Sequence, residues 1–342
     1  MKAKTFSEIM KKRGGVSGIE KFNPYHDRLG RFASAGGSAS FSANPNTKAG
    51  KLAIERESKK NPLVGAAFAR DYSSTDVKDA IKEQSKTKNS LSGFIGADGK
   101  LTPEREALHK QIIDDILEGK TPVAGQAELR MMGGGPASGK SSALESGSVQ
   151  LFDEKSSVTI DPDYMKTKLP GYKEMAKNDP GAASYYHEES SALAKRLYQV
   201  ACNENYNVTY DGTGDGSAKS VESKINTARD KGYKVTGVYV TVDTNEAVKR
   251  NQARYDHAVA KGESPRLVPE EYVRNCHAKV TKISSDCASQ FDSIQVFDNN
   301  GPRGSKPTLI ATGGNGKGLT AVYGKEKEFA SYMKKADILK GE

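Results

Sequence analysis

The sequence has no tryptophan, only three cysteines and no long hydrophobic run among its 342 residues. The cysteines, Cys202, Cys276 and Cys287, are odd in number and form no CxxC pair, which fits a reducing cytosol and indicates no cysteine-based metal centre. No apolar stretch approaches the roughly 18 residues that a membrane span requires. The N-terminal MKAKTFSEIMKKRGG lacks the apolar core of a signal peptide. We therefore expect a cytoplasmic protein without a membrane partner, in which the cysteines are buried and unpaired.

Hydrophobic residues are also scarce, at 35% of the chain, while 28% of the residues are charged and 34 are glycine. This composition predicts that part of the chain is not packed. The net charge of +9 lies near the N-terminus, because residues 1–60 hold 13 Lys/Arg against 5 Asp/Glu, which leaves 39 against 38 in residues 61–342. We predict that residues 1–60 are a flexible basic arm, either a solvated tail or a contact for an acidic partner. A nucleic-acid partner is disfavoured, since the arm has no nucleic-acid fold signature.

The arm contains one aromatic patch, KFNPYHDRLGRFASA, at Lys21–Ala35. It resembles a short N-terminal tag of phage-encoded proteins that accompany capsid or head-assembly genes. The resemblance implies docking on a phage capsid and association with the virion; the alternative is a disordered tail. After the arm, residues 61–100 are predicted to be a linker or a small accessory segment, and residues 101–342 the main domain.

From Thr102 onwards, helical periodicity alternates with short apolar strands. Thr102 is a candidate N-cap with Pro103 at the first helical position, and LHKQIIDDIL carries apolar residues at helical spacing. Alternation of strands with long helices predicts an α/β fold, a mostly parallel sheet with helices on both faces. The predicted strands are Glu128–Met132, Ser157–Ile160, Tyr206–Tyr210, Tyr233–Val242 and Ile294–Phe297. The later predicted helices are Lys140–Ser146, His187–Ala201, Ala218–Lys231, Ala247–Ala260 and Pro269–Phe291.

A glycine-rich turn, GGPASGKS, stands between the first predicted strand and the next helix and satisfies GxxxxGK[ST]. Glycines let successive N–H groups point at phosphate oxygens, and the following helix adds its positive N-terminal end. In such a P-loop the lysine reaches the β- and γ-phosphates and the hydroxyl binds the magnesium that bridges them. The pattern predicts binding of nucleotide phosphates but does not separate ATPase, GTPase and kinase. The candidate residues are Gly134, Gly135, Pro136, Ala137, Ser138, Gly139, Lys140, Ser141 and Ser142.

Acidic residues follow two further predicted strands. Asp161 and Asp163 come directly after the second strand, which we expect beside the P-loop strand, and either can hold magnesium or accept a proton from an attacking hydroxyl. The alternative is a helix cap. The third strand ends in DGTGDG, where Asp211 and Thr213 can bond ligand hydroxyls; a plain glycine-rich turn is the alternative.

Three arginines follow the fourth predicted strand. Arg250 and Arg254 are four residues apart and share a helix face, and Arg266 lies in the loop GESPRLVP. Arginines on a mobile segment beyond the sheet are typical of a lid that neutralises a transferring phosphate. Without the P-loop upstream they would be interpreted as solvated surface residues.

The order of these motifs resembles the zeta toxin family of P-loop kinases. The matching stretches run from about Thr102 to Asn299: GGGPASGKSS, IDPDYMKTKLPGY, HEESSALAKRL, NVTYDGTGD, RNQARYD, SPRLVP and VFDN. The resemblance implies a P-loop kinase fold, ATP and Mg²⁺, an antitoxin partner, and transfer of the γ-phosphate to a hydroxyl of UDP-N-acetylglucosamine. It also implies Lys140 at the phosphates, Ser141 at magnesium and Asp163 as the catalytic base. The lid arginines then fall on Arg254 and Arg266, and the acceptor residues on Asp211 and Thr213. Asp161, from its position after the second strand, is a further candidate for binding the substrate.

The acceptor side departs from the family pattern at three places. Asp211 stands where the best-known members have glutamate, and Asp215 where they have arginine. A substrate-contacting helix glutamate is matched only by Glu189 or its neighbour Glu188. The acceptor therefore remains open: a sugar nucleotide, another nucleotide or a dinucleotide. A phage-head component that carries the kinase domain as an effector is a further alternative.

Overall fold

The computed structural model describes residues 89–178, 182–214, 216–260, 268–302 and 304–340, together with residues 51, 52, 55, 56 and 59. The predicted basic arm with its tag and most of the predicted accessory segment lie outside the described residues. Asp215 and Arg266 lie outside them as well.

One seven-stranded sheet organises the described domain, in the spatial order β2-β3-β1-β4-β5-β6-β7. The first five strands in that order pair in parallel, and β6 and β7 extend the sheet as antiparallel strands. The predicted α/β class with a mostly parallel sheet is confirmed. The strands are β1 (Glu128–Gly133), β2 (Ser157–Ile160), β3 (Asn207–Asp211), β4 (Lys234–Thr241), β5 (Ser293–Asp298), β6 (Thr308–Gly314) and β7 (Lys317–Ala321).

Helices precede, connect and follow the strands. The helix before the first strand begins as predicted, because the Thr102 hydroxyl accepts a hydrogen bond from the Arg105 N–H at 3.4 Å and Pro103 occupies the first helical position. The described α-helices are α1 (Pro103–Leu117), α2 (Lys140–Glu145), α3 (Pro162–Lys168), α4 (Tyr172–Asn178), α5 (Ala182–Tyr185), α6 (His187–Asn203), α7 (Ala218–Arg229), α8 (Thr244–Ala260), α9 (Glu270–Asp286) and α10 (Glu326–Lys334).

The prediction that β2 lies beside the P-loop strand β1 was wrong. Strand β1 pairs with β3 on one side, where Leu129 lies opposite Val208, and with β4 on the other, so β2 is one strand further out. The chain thus leaves β1, passes over one position to form β2 and returns to fill the gap with β3. Helix α9 is also shorter than predicted, since it ends at Asp286 and a 3-10 turn spans Ala288–Gln290.

The core lies on both faces of the central strands. Strands β1 and β4 are buried along almost their whole length, as expected of parallel strands covered by helices on both sides. The same core includes Ile310 and Ala311 of β6 and Tyr332 of α10, so the C-terminal elements complete it. The three cysteines are buried and none of them forms a disulfide bond, as predicted. Within the described residues, no helix is both long and apolar enough to cross a membrane.

The parallel pairing of the strands determines at which edge of the sheet a functional site can form. Strands that run in the same direction end at the same edge, and the loops that follow them meet there. The loop after β1 contains the glycine-rich turn, and a backbone hydrogen bond of 2.9 Å from the Gly134 N–H to the Thr213 carbonyl joins it to the loop after β3. Asp161 after β2 and Asn299 after β5 lie at the same edge.

Candidate functional site

The glycine-rich turn forms a cradle at the carboxyl edge of the sheet. Ala137 (φ 60°) and Gly139 (φ 89°) both have left-handed backbone conformations. A non-glycine residue in this region is uncommon, and such strain is concentrated at functional sites. Left-handed residues within a turn direct neighbouring N–H groups toward one point, which makes a concave anion site. The backbone therefore has the shape that nucleotide phosphates require.

The cradle is tightly enclosed by neighbouring side chains. A Cβ atom on Gly135 would lie 2.4 Å from His277 Cδ2, and one on Gly139 would lie 1.9 Å from Asn299 Nδ2. Real Cβ contacts are never so short. Only glycine fits at these two positions, independently of any ligand, because α9 and the end of β5 close against the loop.

Two buried residues hold the loop by hydrogen bonds to its carbonyl groups. Asn299 donates from Nδ2 to the Ser138 carbonyl at 2.9 Å, and His277 contacts the Pro136 carbonyl through Nε2 at 3.0 Å. Burial lowers the pKa of His277 to about 4, so the ring is neutral at physiological pH and Nε2 carries the donated proton. The sequence patterns did not assign these roles. Asn299 lies in the family-like stretch VFDN, whereas no sequence signal pointed to His277.

Lys140 and Ser141 open helix α2 at the mouth of the cradle. The Lys140 amine is half-buried and donates to the Gly134 carbonyl at 3.3 Å, a long bond that phosphate oxygens can replace. Ser141 is exposed, so its hydroxyl can reach a metal. The buried Ser138 hydroxyl has no hydrogen-bond partner among the described residues. Cradle, amine and hydroxyl together fit a nucleoside triphosphate with its magnesium.

A metal at this position would depend on the nucleotide for most of its ligands. No three His, Cys, Asp or Glu side chains in the described ranges are grouped to hold a metal ion. Magnesium commonly takes one or two protein oxygens and completes its shell with phosphate oxygens and water. The Ser141 hydroxyl is the protein ligand that this arrangement offers.

Three predicted carboxylates meet opposite the P-loop lysine. Burial raises the pKa of Asp211, the nearby Lys140 lowers it, and the negative charges of Asp161 and Asp163 raise it again, so that its net direction is upward. Charges act strongly only at short range, so Lys140, Asp161 and Asp163 all lie near Asp211. Asp161 Oδ1 also accepts the Asp163 N–H at 2.8 Å and caps α3, so Asp161 has the capping role that was its alternative interpretation.

Glu189 does not face this cluster and has a structural role. Its side chain is fully buried, and its oxygens accept hydrogen bonds from Arg105 at 2.6 and 2.8 Å and from His109 at 2.8 Å. Burial alone would raise the pKa of Glu189, but the hydrogen bonds from His109 and Arg105 hold it at about 2. The carboxylate joins α1 to the first turn of α6 and has no access to a substrate. Its expected role as a substrate contact is therefore corrected.

The arginines after β4 have two different environments. Arg250 is fixed by bonds to Glu246 at 2.9 Å and to the Asn299 carbonyl at 3.0 Å, which ties α8 to the loop after β5. Arg254, one turn further along α8, is exposed. The exposed position leaves its guanidinium accessible to a ligand.

Solved structures with a similar fold include two complexes of AvrRxo1-ORF1 with AvrRxo1-ORF2. The native complex has a TM-score of 0.52 at 17% identity and the sulphate complex 0.50 at 18%, each covering 72% of this chain and 82% of the other. A structure from the PezAT chromosomal toxin–antitoxin system of Streptococcus pneumoniae has a TM-score of 0.48 at 13% identity, covering 71% of this chain and 99% of the other. At these identities the likeness concerns the fold alone. A comparison with curated protein sequences finds no significant match.

The family comparison is more specific than the structural ones. The sequence profile described as Zeta toxin matches residues 113–304, which is more than half of the chain. The match spans the P-loop, the carboxylate cluster and the exposed arginine of α8. Members of this family are ATP-dependent kinases that work with a divalent metal ion. The chain belongs to the zeta toxin family and is an ATP-dependent kinase.

Proposed function

We propose that this kinase transfers the γ-phosphate of ATP to a hydroxyl of a sugar nucleotide, with UDP-N-acetylglucosamine as the specific acceptor, and acts as a zeta-type toxin. The observation that carries the proposal is the contact of the P-loop with the loop after β3, where the Gly134 N–H donates to the Thr213 carbonyl at 2.9 Å and Asp211 lies near Lys140, Asp161 and Asp163. A kinase must bring a base and an acceptor site to the end of a phosphate chain. This cluster places carboxylates beside the P-loop lysine, where the acceptor hydroxyl has to arrive.

The residues of the cluster have distinct proposed roles. Lys140 binds the transferring phosphate, and the Ser141 hydroxyl binds the metal. The bound metal neutralises charge that develops on the phosphate oxygens. Asp163 accepts the proton of the attacking hydroxyl, because it is the most exposed carboxylate of the three and begins α3 at the same edge of the sheet as the P-loop. Asp211, with Thr213, hydrogen-bonds the acceptor hydroxyls.

Arg254 and Arg266 are proposed to close over the reacting phosphate. Arg254 is exposed on α8, whose neighbouring Arg250 is already bonded. Arginine neutralises the charge that spreads over the phosphoryl oxygens during transfer. Removing one such group reduces kcat by about two to three orders of magnitude in well-measured cases. We expect an effect of this size for Arg254→Ala.

The test is a product assay by mass spectrometry. Wild-type protein, Lys140→Met and Asp163→Asn are each incubated with ATP–Mg²⁺ and a panel of UDP-sugars, nucleotides and dinucleotides. Lys279→Met is a matched control, because Lys279 is an exposed helix lysine on α9. We expect UDP-N-acetylglucosamine to gain the mass of one phosphate with the wild type and the control only.

Other outcomes reassign the function. Phosphorylation of a different nucleotide or dinucleotide keeps the kinase and replaces the acceptor. Undiminished transfer by Asp163→Asn removes that residue from the role of base. Toxicity is tested separately by expressing the wild type and Lys140→Met in bacteria. An antitoxin partner is proposed from family membership, and a protein that relieves the wild type's toxicity identifies it.

A second proposal concerns the N-terminal arm. The charge imbalance of residues 1–60 and the aromatic patch at Lys21–Ala35 support docking on an acidic capsid surface. Deleting residues 1–60 should abolish association with phage particles and leave phosphate transfer unchanged. Loss of transfer in the deletion would show that the arm is not separable from the kinase.

A further inference from the structure

A buried lysine lies directly beneath the proposed catalytic base. The Lys166 amine is 2.6 Å from Asp163 Oδ1, one turn along α3. The side chain of Lys166 is only 5% exposed, whereas that of Asp163 is 72% exposed. The neighbouring Met165 is fully buried in the core. The lysine stem therefore crosses the packed side of α3, and its charged end meets the carboxylate at the surface.

This asymmetry distinguishes the pair from ordinary ion pairs on the helices of this protein. In Lys110–Asp114 and Lys282–Asp286 both partners are about half exposed or more, as is usual for solvated pairs that contribute little. Burial of an ammonium group is unfavourable unless a partner of opposite charge compensates for it. The position of Lys166 thus depends on Asp163.

The surroundings of Asp163 explain what a positive charge would do there. Asp161 and Asp211 are carboxylates near it, and the negative charges of Asp161 and Asp163 help to raise the pKa of Asp211. A nearby like charge makes the ionised form of any carboxylate less favourable. Lys140 is the other cation of the cluster, and nucleotide phosphates engage it when they bind. A protonated Asp163 could not accept a proton. Lys166 supplies a positive charge 2.6 Å from Asp163 Oδ1.

The backbone and the side chain of Asp163 are held by different groups. Asp161 Oδ1 accepts the Asp163 N–H and fixes the start of α3. The Lys166 amine contacts Oδ1 and fixes the direction of the carboxylate. A base must be aligned with the hydroxyl to be deprotonated, and small displacements reduce the rate strongly.

We propose that Lys166 is a positioning residue that orients the Asp163 carboxylate and keeps it deprotonated for proton transfer from the acceptor. The proposal rests on the proposed role of Asp163 as the base. As the acceptor oxygen bonds to the γ-phosphorus, the bond to the β-phosphate oxygen breaks, ADP leaves and the hydroxyl proton passes to Asp163. Lys166 contacts neither ATP nor acceptor in this scheme.

The first measurement does not depend on the acceptor. The titration of Asp163 is followed by NMR of protein with ¹³Cγ-labelled aspartate, and Asp163→Asn assigns the signal. In Lys166→Met we expect the pH midpoint of Asp163 to rise by about one unit or more, as loss of an adjacent opposite charge predicts. Lys166→Gln removes the charge but keeps a hydrogen-bond donor. It provides a second measurement of the Asp163 midpoint if Lys166→Met does not fold. Lys168→Met is the matched control, because Lys168 is exposed on the same helix.

The second measurement separates positioning from simple packing. With ATP–Mg²⁺ and the acceptor that the panel identifies, Lys166→Met should lower kcat about 10- to 100-fold, which is less than the roughly 100- to 10,000-fold contribution of a general base, because the base itself remains. The KM for ATP should stay unchanged. Lys166→Arg should keep much of the kcat that Lys166→Met loses. In an Asp163→Asn background, Lys166→Met should have no further effect.

The outcomes of the two tests are distinguishable. An unchanged Asp163 midpoint in both neutral Lys166 variants overturns the proposal, whatever Asp163→Asn does to transfer. A shifted midpoint combined with full transfer by Asp163→Asn means that Lys166 controls the carboxylate but that the role of base was assigned to the wrong residue.

Discussion

Asn299, which follows β5, donates a hydrogen bond from Nδ2 to the main-chain carbonyl of Ser138 inside the P-loop at 2.9 Å. Its own backbone N–H donates to the Thr241 carbonyl at 2.8 Å, and Arg250 donates to the Asn299 carbonyl at 3.0 Å. One residue therefore connects the phosphate loop to β4 and to α8. The phosphate cradle and the helix that carries Arg254 are therefore linked through the side chain and the main chain of Asn299.

Replacing Asn299 with aspartate should weaken ATP binding without unfolding the domain. The aspartate oxygen would face the Ser138 carbonyl, so a donor is exchanged for an acceptor in a buried position. Loss of a buried hydrogen bond partner costs about 1–3 kcal/mol, which corresponds to a rise in Kd of roughly 5- to 150-fold if the whole cost falls on the bound state. Calorimetric titration with ATP–Mg²⁺ measures this Kd. Asn203→Asp, at an exposed position, is the control. Equal affinities of wild type and Asn299→Asp would show that the contact does not hold the loop.

Gly139→Ala should disrupt the same contact from the other side. Its φ of 89° is strained for alanine, and the new Cβ would lie 1.9 Å from Asn299 Nδ2. We expect loss of nucleotide binding and a lowered melting temperature. Gly125→Ala is the matched control, because a Cβ there has no atom within 4 Å. Thermal unfolding with and without ATP separates the loss of binding from the loss of stability. If ATP still raised the melting temperature of Gly139→Ala, the cradle would not need glycine at this position.

His277 predicts a pH dependence of stability. Burial lowers its pKa to about 4 in the fold from 6.5, so between these values the unfolded chain binds more protons than the native protein. The free energy of unfolding should therefore fall as pH decreases from about 6.5 to 4, by on the order of 3 kcal/mol from this residue alone. Urea titrations across that range should show a flatter profile for His277→Gln than for the wild type. His257→Gln, at an exposed helix position, should leave the slope unchanged.

The residues that could be predicted from the sequence are those whose signal is local. The P-loop is one continuous motif, and Asp163 and Asp211 follow strands whose parallel ends had to meet. Asn299 and His277 were not predictable, because their P-loop partners lie 161 and 141 residues earlier. The position of β2 depends on which strands pair in space, and no local pattern specifies this pairing.

Two further differences from the sequence-based expectations also arise from distant packing. Glu189 was interpreted as a substrate contact because it or Glu188 matches a substrate-contacting helix glutamate of the zeta toxin family. Its partners are instead Arg105 and His109, 84 and 80 residues earlier. Strands β6 and β7 were not predicted, because the glycines in TGGNGKG interrupt the alternation that marks a strand. Tertiary pairing with β5 overrides that weak local preference.

Glu189→Gln should lower stability strongly rather than alter substrate affinity. The substitution removes the charge that pairs with Arg105 in the interior and leaves the guanidinium uncompensated. Breaking a buried ion pair from one side costs about 3–5 kcal/mol. Chemical denaturation measures the loss, and Glu188→Gln, at an exposed position one residue earlier, should differ little from wild type. A stable Glu189→Gln protein with a raised acceptor KM would restore the substrate-contact interpretation.

The chain after residue 304, beyond the family match, should be required for folding. Strand β6 covers β5, and Ile310 and Ala311 are fully buried within the core. Tyr332 is 2% exposed and its hydroxyl bonds to that of Ser284, while the Lys335 amine donates to the Val242 carbonyl at the carboxyl end of β4. Deleting residues 305–342 would expose this apolar surface and leave β5 as an unprotected edge. We expect an aggregating protein without a cooperative thermal transition, whereas deletion of residues 341–342 should have no effect. A truncated protein that melts cooperatively and binds ATP would show that the family-matched region folds on its own.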